Sequence, residues 1–454
     1  MAEKISYRQM IPLGLTSFIT PFMSSSLNLS IPSISAGFSA GAVSVGWVIT
    51  IFLLFSTAFS VPFGRIADLY GKKRFLLSGA SVFTAASLFC GMAPNLPVLL
   101  IGRAVQGFGA SMIFATAMAL ISAIFPPSVR GRMMGISVTL TYLGLSLGPV
   151  LGGQLNHYFG WRSIFFFSMG AGILACLAIV LILKEPEQRH PDHISLDIPG
   201  IFLYLAAISM ILYGLTELTS HSFAWLILAG GILVSVLFVR HELRAPSPLL
   251  NLSLFTGNRP FALSNLAALL NYGASYSVSY VLSIYLQNVR GFTSRSAGLL
   301  LITAPAVQAL FSGFAGRLSD RHSPYKLASS GMALSGLGIC MLIFVKESIA
   351  MPYILFALAI IGLGFAFFSS PNTNAIMSSV DKTQFGIASS VTSTSRTLGQ
   401  SSSTAMITAV FGAVIGNITF AQAAGQSIIR AMHIIFILCT LLSVLGVYCS
   451  SRRS

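Results

Sequence analysis

Charge is the scarcest property of this chain: only 8% of its 454 residues are Asp, Glu, Lys or Arg, against roughly 25% in ordinary soluble domains. A surface so poor in charge cannot be solvated, which excludes a soluble globular fold. Acids are scarcer still, 11 against 26 Lys and Arg, leaving a net charge of +15. The bases fall in short clusters between apolar runs and form neither a stripe nor a tail, so they argue against a nucleic-acid partner and for topology signals. The five cysteines, Cys90, Cys176, Cys340, Cys439 and Cys449, lie in apolar runs without metal-ligand spacing and read as packing residues. No nucleophile, base and orienting group recur together and no metal-ligand cluster appears, so neither an enzyme nor a metal or cofactor is indicated. Long loops are missing too, the longest being around Lys184 to Asp197 and His241 to Arg259, so function must lie among the helices.

What is abundant is apolar length. Hydrophobic residues make up 55% of the chain and mean hydropathy is +0.83. Runs of eighteen or more apolar residues, each sufficient for a hydrocarbon core roughly 30 Å thick, recur throughout. The expected fold class is therefore all-α and polytopic, embedded in a lipid bilayer. Lys4 and Arg8 precede a first run too long for a signal peptide, which reads as a retained span. Spans are expected near 9–32, 43–63, 76–94, 97–125, 133–156 and 163–183, then 198–217 and 222–240, then 260–287, 296–315, 327–345, 351–378, 385–414 and 428–449. These total about fourteen.

The stretch GRIADLYGKKR at Gly64 to Arg74 has a weaker copy, GRLSDRHSPYK, at Gly316 to Lys326, an offset of 316 − 64 = 252 residues. Six helices with short loops use roughly 190 to 200 of these, and the remaining fifty or so hold two extra helices. The chain divides accordingly into a six-helix bundle over 1–190, two linking helices over 191–258 and a second six-helix bundle over 259–454. With the amino terminus in the cytoplasm, the alternate loops on that side carry Arg65, Lys72, Lys73, Arg74, Arg130, Arg132, Lys184, Arg189, Arg240, Arg244, Arg259, Arg317, Arg321, Lys326 and Lys382, and the tail adds Arg452 and Arg453. The opposite loops hold only Arg162, Arg290, Arg295, Lys346 and Arg430. Both termini are therefore expected in the cytoplasm.

Three stretches then stand out in order. Gly64, Asp68, Gly71, Lys72, Lys73 and Arg74 join the second and third spans, with Gly316 and Asp320 at the equivalent place in the second half. A topology-setting turn explains the glycines and bases but not an acid within a basic cluster. Arg103, Ala104, Val105, Gln106, Gly107, Phe108 and Gly109 lie in the fourth span. Helix packing explains Gly107 and Gly109, whereas an arginine so deep in a span is a functional candidate. The fifth span carries Gly144, Gly148, Pro149, Gly152 and Gly153, which permit close packing and a bend.

Together these resemble the major facilitator superfamily: its signature between helices two and three, its helix-four arginine motif and its antiporter signature. Trp161 and Arg162, Asp197 and Gly200, Tyr285 to Gln287, and Gly386, Ala388, Ser389, Arg396 and Gly399 resemble the fourteen-helix drug:proton antiporter branch. The resemblance covers essentially the whole chain. It implies two six-helix bundles that rock around a central site, export of small molecules, protons as coupling partner, a monomer, and residence in a prokaryotic plasma membrane. Asp68 would meet the helix that begins near Gly386, controlling state together with Asp320, and Arg103 would be linked to proton coupling. The first, fourth, seventh and tenth helices would line the cavity.

The chain departs from that branch where an acid is expected in the first helix: Met23 stands there, ahead of Asn28 and Pro32. None of the acids, Glu3, Asp68, Glu185, Glu187, Asp192, Asp197, Glu217, Glu242, Asp320, Glu347 or Asp381, falls at mid-span. Glu217 comes nearest, at the outer end of an extra helix. Arg103 and Arg396 thus lack an evident carboxylate partner, and either hydroxyls, carbonyls and water solvate them or an acidic or zwitterionic substrate does.

Further cavity candidates are Asn28, Gln106, Asn271, Tyr272, Tyr276, Tyr280, Phe365, Phe368, Asn372 and Gln400. The three tyrosines, at spacing four, share a helix face that packing alone would also explain. Phe365 and Phe368 precede amides beside Pro371, and Thr392, Ser395 and Ser403 give the helix of Arg396 a polar aspect. Among the histidines, His433 alone falls inside a span, as a packing residue or a relay. The expected function is efflux of amphipathic organic compounds by proton antiport. Uniport, exchange, a lipid-like substrate and a non-transporting ligand sensor stay open as alternatives.

Overall fold

The structure is a computed structural model that describes residues 7–184, 196–218, 221–246, 248–250, 252–380 and 385–453; the side chains at 68–70, 127–128, 130–132, 138, 253–254, 320, 385–387 and 389–390 lie outside the described residues. All secondary structure described is helical. Helix α1 (Met10–Ser26) continues through a 3-10 turn (Leu27–Ser30) into α2 (Ile31–Phe38) as one long rod. Then follow α3 (Ala42–Tyr70), α4 (Lys72–Gly91), α5 (Leu96–Ile124), α6 (Pro127–Phe159) and α7 (Arg162–Ile182). The linking pair is α8 (Ile198–Thr216) and α9 (Ala224–Glu242). A short α10 (Ser253–Thr256) leads to α11 (Arg259–Ile284), which is prolonged by a π turn (Tyr285–Val289). Helix α12 (Ser294–Leu301) runs on into α13 (Thr303–Arg321), and α14 (Pro324–Leu342), α15 (Met351–Ser378), α16 (Phe385–Ile415) and α17 (Gly425–Ser451) complete the chain.

Local chemistry sets these boundaries. Asn95, Asp197, Asn258 and Thr293 each accept a hydrogen bond from the backbone N–H three residues on, satisfying an orphan donor at the start of α5, α8, α11 and α12. Proline at the first or second position, where no intrahelical donor is needed, opens α5, α6, α8, α11, α14 and α15. Gly71 turns α3 into α4 at φ 93°, a left-handed conformation costly for a residue with a Cβ.

Among the described residues, twelve helices are long and apolar enough to cross a membrane. Helices α11 and α14 have the length but are outside that set. Their polarity is turned inward: Ser264, Asn265, Asn271, Ser277 and Ser283 of α11 and Ser335 of α14 are buried against protein, so neither helix needs an apolar circumference. The expected count of fourteen therefore exceeds what hydropathy alone supports.

Helix α1 packs on α6 and α7, and α5 on α3 and α4, forming the first bundle; α11 with α16 and α17, and α14 with α15 and α17, form the second. The bundles meet along two seams, α3 against α16 and α6 against α12. Helix α8 lies across the first seam, touching both α3 and α16, while α9 packs on α8. We call the end where α1 begins the proximal face and the other end the distal face. Hydrogen bonds between the bundles crowd toward the distal face. Ala42 N donates to Ile418 O (2.9 Å), Ser283 Oγ to Asn28 O (3.0 Å), Gln287 Nε2 to Leu29 O (3.0 Å) and Arg295 Nη1 to the Tyr158 hydroxyl (2.6 Å). On the second seam, Gly153 and Gly298 let backbones touch: a Cβ on Gly298 would overlap the Pro149 carbonyl, and one on Gly153 would lie 2.6 Å from Ser294 O. Toward the proximal face, by contrast, a Cβ on Gly64 or Gly135 would meet nothing among the described residues within 4 Å.

The linking pair is pinned at both ends. At the distal end, Glu217 is 7% exposed and accepts a 2.6 Å hydrogen bond from Trp47 Nε1 of α3, with His221 Nε2 3.8 Å from its other oxygen. At the proximal end, His241 Nε2 lies 2.8 Å from Asp197 Oδ1, and Glu242 Oε2 accepts from Leu250 N (2.9 Å). Burial opposes the charge on Asp197, but the bonds with His241 and Gly200 N outweigh it and hold that carboxyl below its ordinary range. The last turn of the chain is tied down by Arg453, 3% exposed, whose Nη1 donates to Asn372 Oδ1 at 2.6 Å. Burial pulls its pKa down to about 10, so it stays charged at neutral pH.

Replacing Trp47 by Phe removes the donor to Glu217 and keeps the ring. It is expected to cost roughly 1–3 kcal/mol of stability, read as a lowered thermal midpoint of the purified protein. Adding Glu217→Gln, which removes the stranded charge, should restore part of that loss; an unchanged midpoint in Trp47→Phe would show that the contact contributes nothing.

Candidate central cavity

A cavity lies at mid-height between the bundles, lined by Thr20, Pro21 and Ser24 of α1, Phe52, Leu53 and Ser56 of α3, Phe114 of α5, Thr141 and Leu145 of α6, and Arg396, Thr397 and Gln400 of α16. Four helices each supply a pair at spacing four, Thr20 with Ser24, Phe52 with Ser56, Thr141 with Leu145 and Arg396 with Gln400. Such a pair shares one helix face. The glycines of α6 place these faces: a Cβ on Gly144 would overlap the Phe18 carbonyl, one on Gly148 the Ser25 hydroxyl, and one on Gly152 would lie 2.5 Å from Ser26 Cβ. Glycine thus brings α6 flush against α1, setting Thr141 beside Thr20 and Ser24. Pro21 has no N–H, so it breaks the α1 ladder where it meets the cavity.

The two central arginines have separate surroundings. Arg103 is fully buried; its Nε donates to Val48 O (2.8 Å) and its Nη1 to Gln106 Oε1, whose amide in turn donates to Ser87 Oγ (2.7 Å). Its guanidinium lies 4.1 Å from the centroid of the Phe52 ring, a cation–π contact. Arg103 therefore stands behind Phe52, and only the ring lines the cavity. Arg396 lines the cavity directly, is partly buried, and makes a 3.4 Å bond from Nη2 to Ser393 Oγ of its own helix. Among the described residues, no carboxylate lines the cavity. Ser56 Oγ, buried at the wall, has no hydrogen-bond partner among the described residues.

The other sequence-derived candidates fall in three groups. Tyr276 and Tyr272 border the cavity through its neighbours: Tyr276 shares a 2.8 Å hydroxyl bond with Ser24, and Tyr272 a 2.7 Å bond with Tyr142, with Phe365 packed on its ring. Asn28, Gln106, Asn271, Tyr280, Phe368 and Asn372 sit within the packing. The Asn28 carbonyl accepts from Ser283, Asn271 Oδ1 accepts from Ser335 Oγ (3.3 Å), Tyr280 packs on Phe411, and Asn372 Nδ2 donates to Ser264 O (3.3 Å). Phe368 is 1% exposed. His433 Nε2 bonds the Val345 carbonyl at 2.7 Å, away from the cavity.

The turn residues form the third group. Gly64 faces open space, Arg65 Nη2 donates to Pro248 O (2.5 Å), Lys72 is partly buried, Arg74 is exposed, and Gly316 approaches Ser370 Oγ. The side chains of Asp68 and Asp320 lie outside the described residues. The described acids Asp197, Glu217, Glu242 and Glu347 all stand at helix ends or turns. The cavity thus draws on the first, second, fourth and fifth helices and on α16, rather than on the seventh and tenth expected from sequence. Its small hydroxyl residues, Thr20, Ser24, Ser56, Thr141 and Thr397, escape a search for charges and aromatics. The signal for most of them is a polar residue paired at spacing four inside an apolar run.

Comparison with known proteins agrees with this architecture. The family model of the Major Facilitator Superfamily matches residues 13–404 and 265–452. The riboflavin transporter RibZ of Clostridioides difficile (strain 630) is 29% identical over 87% of this chain and 86% of its own length. The multidrug resistance protein Stp of Mycobacterium tuberculosis (strain CDC 1551 / Oshkosh) is 30% identical over 89% of this chain and 75% of its own. Among solved structures, a bacterial homolog of the human lysosomal transporter Spinster, in an inward-facing and unoccupied conformation, superposes with a TM-score of 0.70 at 15% identity, covering 99% of each chain.

The separation of the arginines is expected to show in stability. Arg103→Ala strands Gln106 Oε1 in a dry interior at roughly 1–3 kcal/mol and removes the side chain packed behind the Phe52 ring, and should lower the thermal midpoint markedly. Arg396→Ala, at the cavity wall, should leave it nearly unchanged. Equal losses for the two variants would contradict the assignment of Arg103 to scaffold and Arg396 to site.

Proposed function

The chain belongs to the major facilitator superfamily, and on that premise we propose a fourteen-span secondary transporter that exports amphipathic organic compounds by alternating access coupled to proton antiport. It is a transporter and not an enzyme, and it is embedded in a membrane. The observation that carries the finer reading is the cavity itself, walled by both bundles at mid-height beneath a hydrogen-bonded distal face. The excess of Lys and Arg in the proximal loops supports a cytoplasmic proximal face, with both termini there, in a prokaryotic plasma membrane. With that orientation, the distal closure corresponds to an inward-facing state.

Organic cargo is supported by the cavity wall, where Phe52, Phe114, Pro21 and two leucines offer apolar surface and hydroxyls offer hydrogen bonds. The names of the relatives RibZ and Stp, a riboflavin transporter and a multidrug resistance protein, point the same way. Export is supported by the resemblance of Gly144 to Gly153 to the antiporter signature. Asp68 and Asp320 are assigned to state control, docking the proximal ends when the cavity faces outward. The chain acts as a monomer on this reading.

A second reading, uniport or exchange without protons, is favoured by one observation: no carboxylate lines the cavity, and Met23, fully buried, accepts a contact from Ser168 where the branch carries an acid. Purified protein in proteoliposomes separates the two. Proton antiport requires that an imposed pH gradient drive accumulation of a substrate first identified by cellular efflux. Flux that ignores the gradient and follows only the substrate gradient selects the second reading, and no flux of any efflux substrate contradicts transport. Asp68→Asn is expected to reduce transport several-fold with expression and elution profile intact; wild-type flux in that variant would remove Asp68 from the mechanism.

A further inference from the structure

Charge around the cavity is one-sided. Among the described lining residues Arg396 is the cation and there is no carboxylate, while Arg103 packs on the Phe52 ring and is occupied by Val48 O and Gln106. Of the five N–H donors of the Arg396 guanidinium, one makes a long bond, to Ser393 Oγ at 3.4 Å. Across the cavity, Ser56 Oγ is buried without a hydrogen-bond partner among the described residues, whereas Thr20 and Thr141 donate to Thr16 O and Ser137 O of their own helices and Ser24 pairs with the Tyr276 hydroxyl. A cation and the Ser56 hydroxyl facing a shared space, with apolar walls between them, match an anionic head on an aromatic body.

We propose that the cavity binds organic anions, with Arg396 forking onto the carboxylate, sulfonate or phosphate of an amphipathic aromatic substrate. This rests on the transporter reading above and narrows it to a substrate class. Arginine suits the task because its planar donors match two anionic oxygens at once and it keeps its charge in a partly dry site. The aromatic body lies against Phe52 and Phe114, and the Phe52 ring is held from behind by Arg103. Arg396 belongs to α16 in the second bundle, whereas Ser56, Thr20, Ser24 and Thr141 belong to the first. The anion therefore touches both moving bodies, and its binding energy is available to bias their rocking. An inside-negative membrane potential favours the exit of an anion, so loading needs no carboxylate in the cavity wall.

The test uses the full chain in lipid nanodiscs and a matched set of probes: naphthalene-2-carboxylate, naphthalene-2-sulfonate, naphthalene-2-carboxamide and 2-naphthylmethylammonium, with affinities measured by calorimetry. The two anions are expected to bind at least about tenfold more tightly than the amide, and the ammonium least. Arg396→Gln should weaken the anions roughly 10- to 100-fold while leaving the amide unchanged, and Arg396→Lys should keep part of the preference. If Arg396→Gln does not elute as a single species, the wild-type order and Arg396→Lys decide. An amide or ammonium bound as tightly as the anions, an anion preference that survives in Arg396→Gln, or no binding by any probe would overturn the proposal. A parallel cellular efflux assay with anionic, neutral and cationic dyes keeps the two levels apart. Export of any dye sustains the transporter reading even when the anion preference fails, whereas no export of any dye by folded protein removes that reading as well.

Discussion

A guanidinium inside a helical bundle must be solvated by something other than water, and the two ways this chain meets that demand separate its scaffold from its site. Arg103 is solvated by the protein: a backbone carbonyl of α3, an amide on its own helix and the face of Phe52. These contacts knit α5 to α3 and fix the ring that walls the cavity. Among the described residues Arg396 has no comparable shell: one hydrogen bond, to Ser393 at 3.4 Å, the Tyr272 side chain within electrostatic reach, and the cavity itself. What looks from sequence like one class of residue is thus one internal strut and one exposed donor.

Helix contact through glycine is what allows the space to exist while its distal end is shut. Gly144, Gly148 and Gly152 seat α6 on α1, and Pro149 and Gly153, on the neighbouring face, meet Ser294 and Gly298 of the second bundle. One helix therefore both positions the cavity hydroxyls and carries the closure of the distal seam. The stretch that resembles an antiporter signature accordingly has a mechanical meaning here: backbone approach that no side chain would permit. The linking pair α8–α9 covers the opposite seam, held by Glu217 on Trp47 and by the Asp197, His241 and Glu242 cluster, and keeps its acids at the helix ends.

The organisation of the molecule was legible in the sequence because apolar length and loop charge are direct readouts of membrane physics. The expected span positions, the duplication at Gly64 and Gly316 and the expected boundaries near 190 and 258 come from those alone, and an all-helical fold with twelve membrane-length apolar helices among the described residues agrees with the first of these. Hydropathy fell short at α11 and α14, whose buried serines and asparagines replace lipid contact with protein contact. The cavity was only partly legible. Arg396 and Gln400 stand in its wall, while the tyrosine stripe of α11 borders it through Tyr276 and Tyr272 and buries Tyr280. Hydroxyls were the hidden part, since Thr50, Thr84 and Thr116 look the same in sequence as Thr20 and Thr141 and, like them, donate to carbonyls of their own helices. Which hydroxyl faces a cavity depends on how α6 and α1 are seated, and that is a tertiary property.

The central claim, that two bundles rock about the Arg396 cavity, is tested most directly by paired spin-label distances in lipid nanodiscs. One pair, Phe159 with Gly291, spans the distal seam, and another, Ile136 with Phe314, spans α6 and α13 toward the proximal face; all four positions are exposed. On addition of a transported substrate, the distal distance should lengthen as the proximal distance shortens. Distances that stay fixed, or that change together in the same direction, would contradict the account.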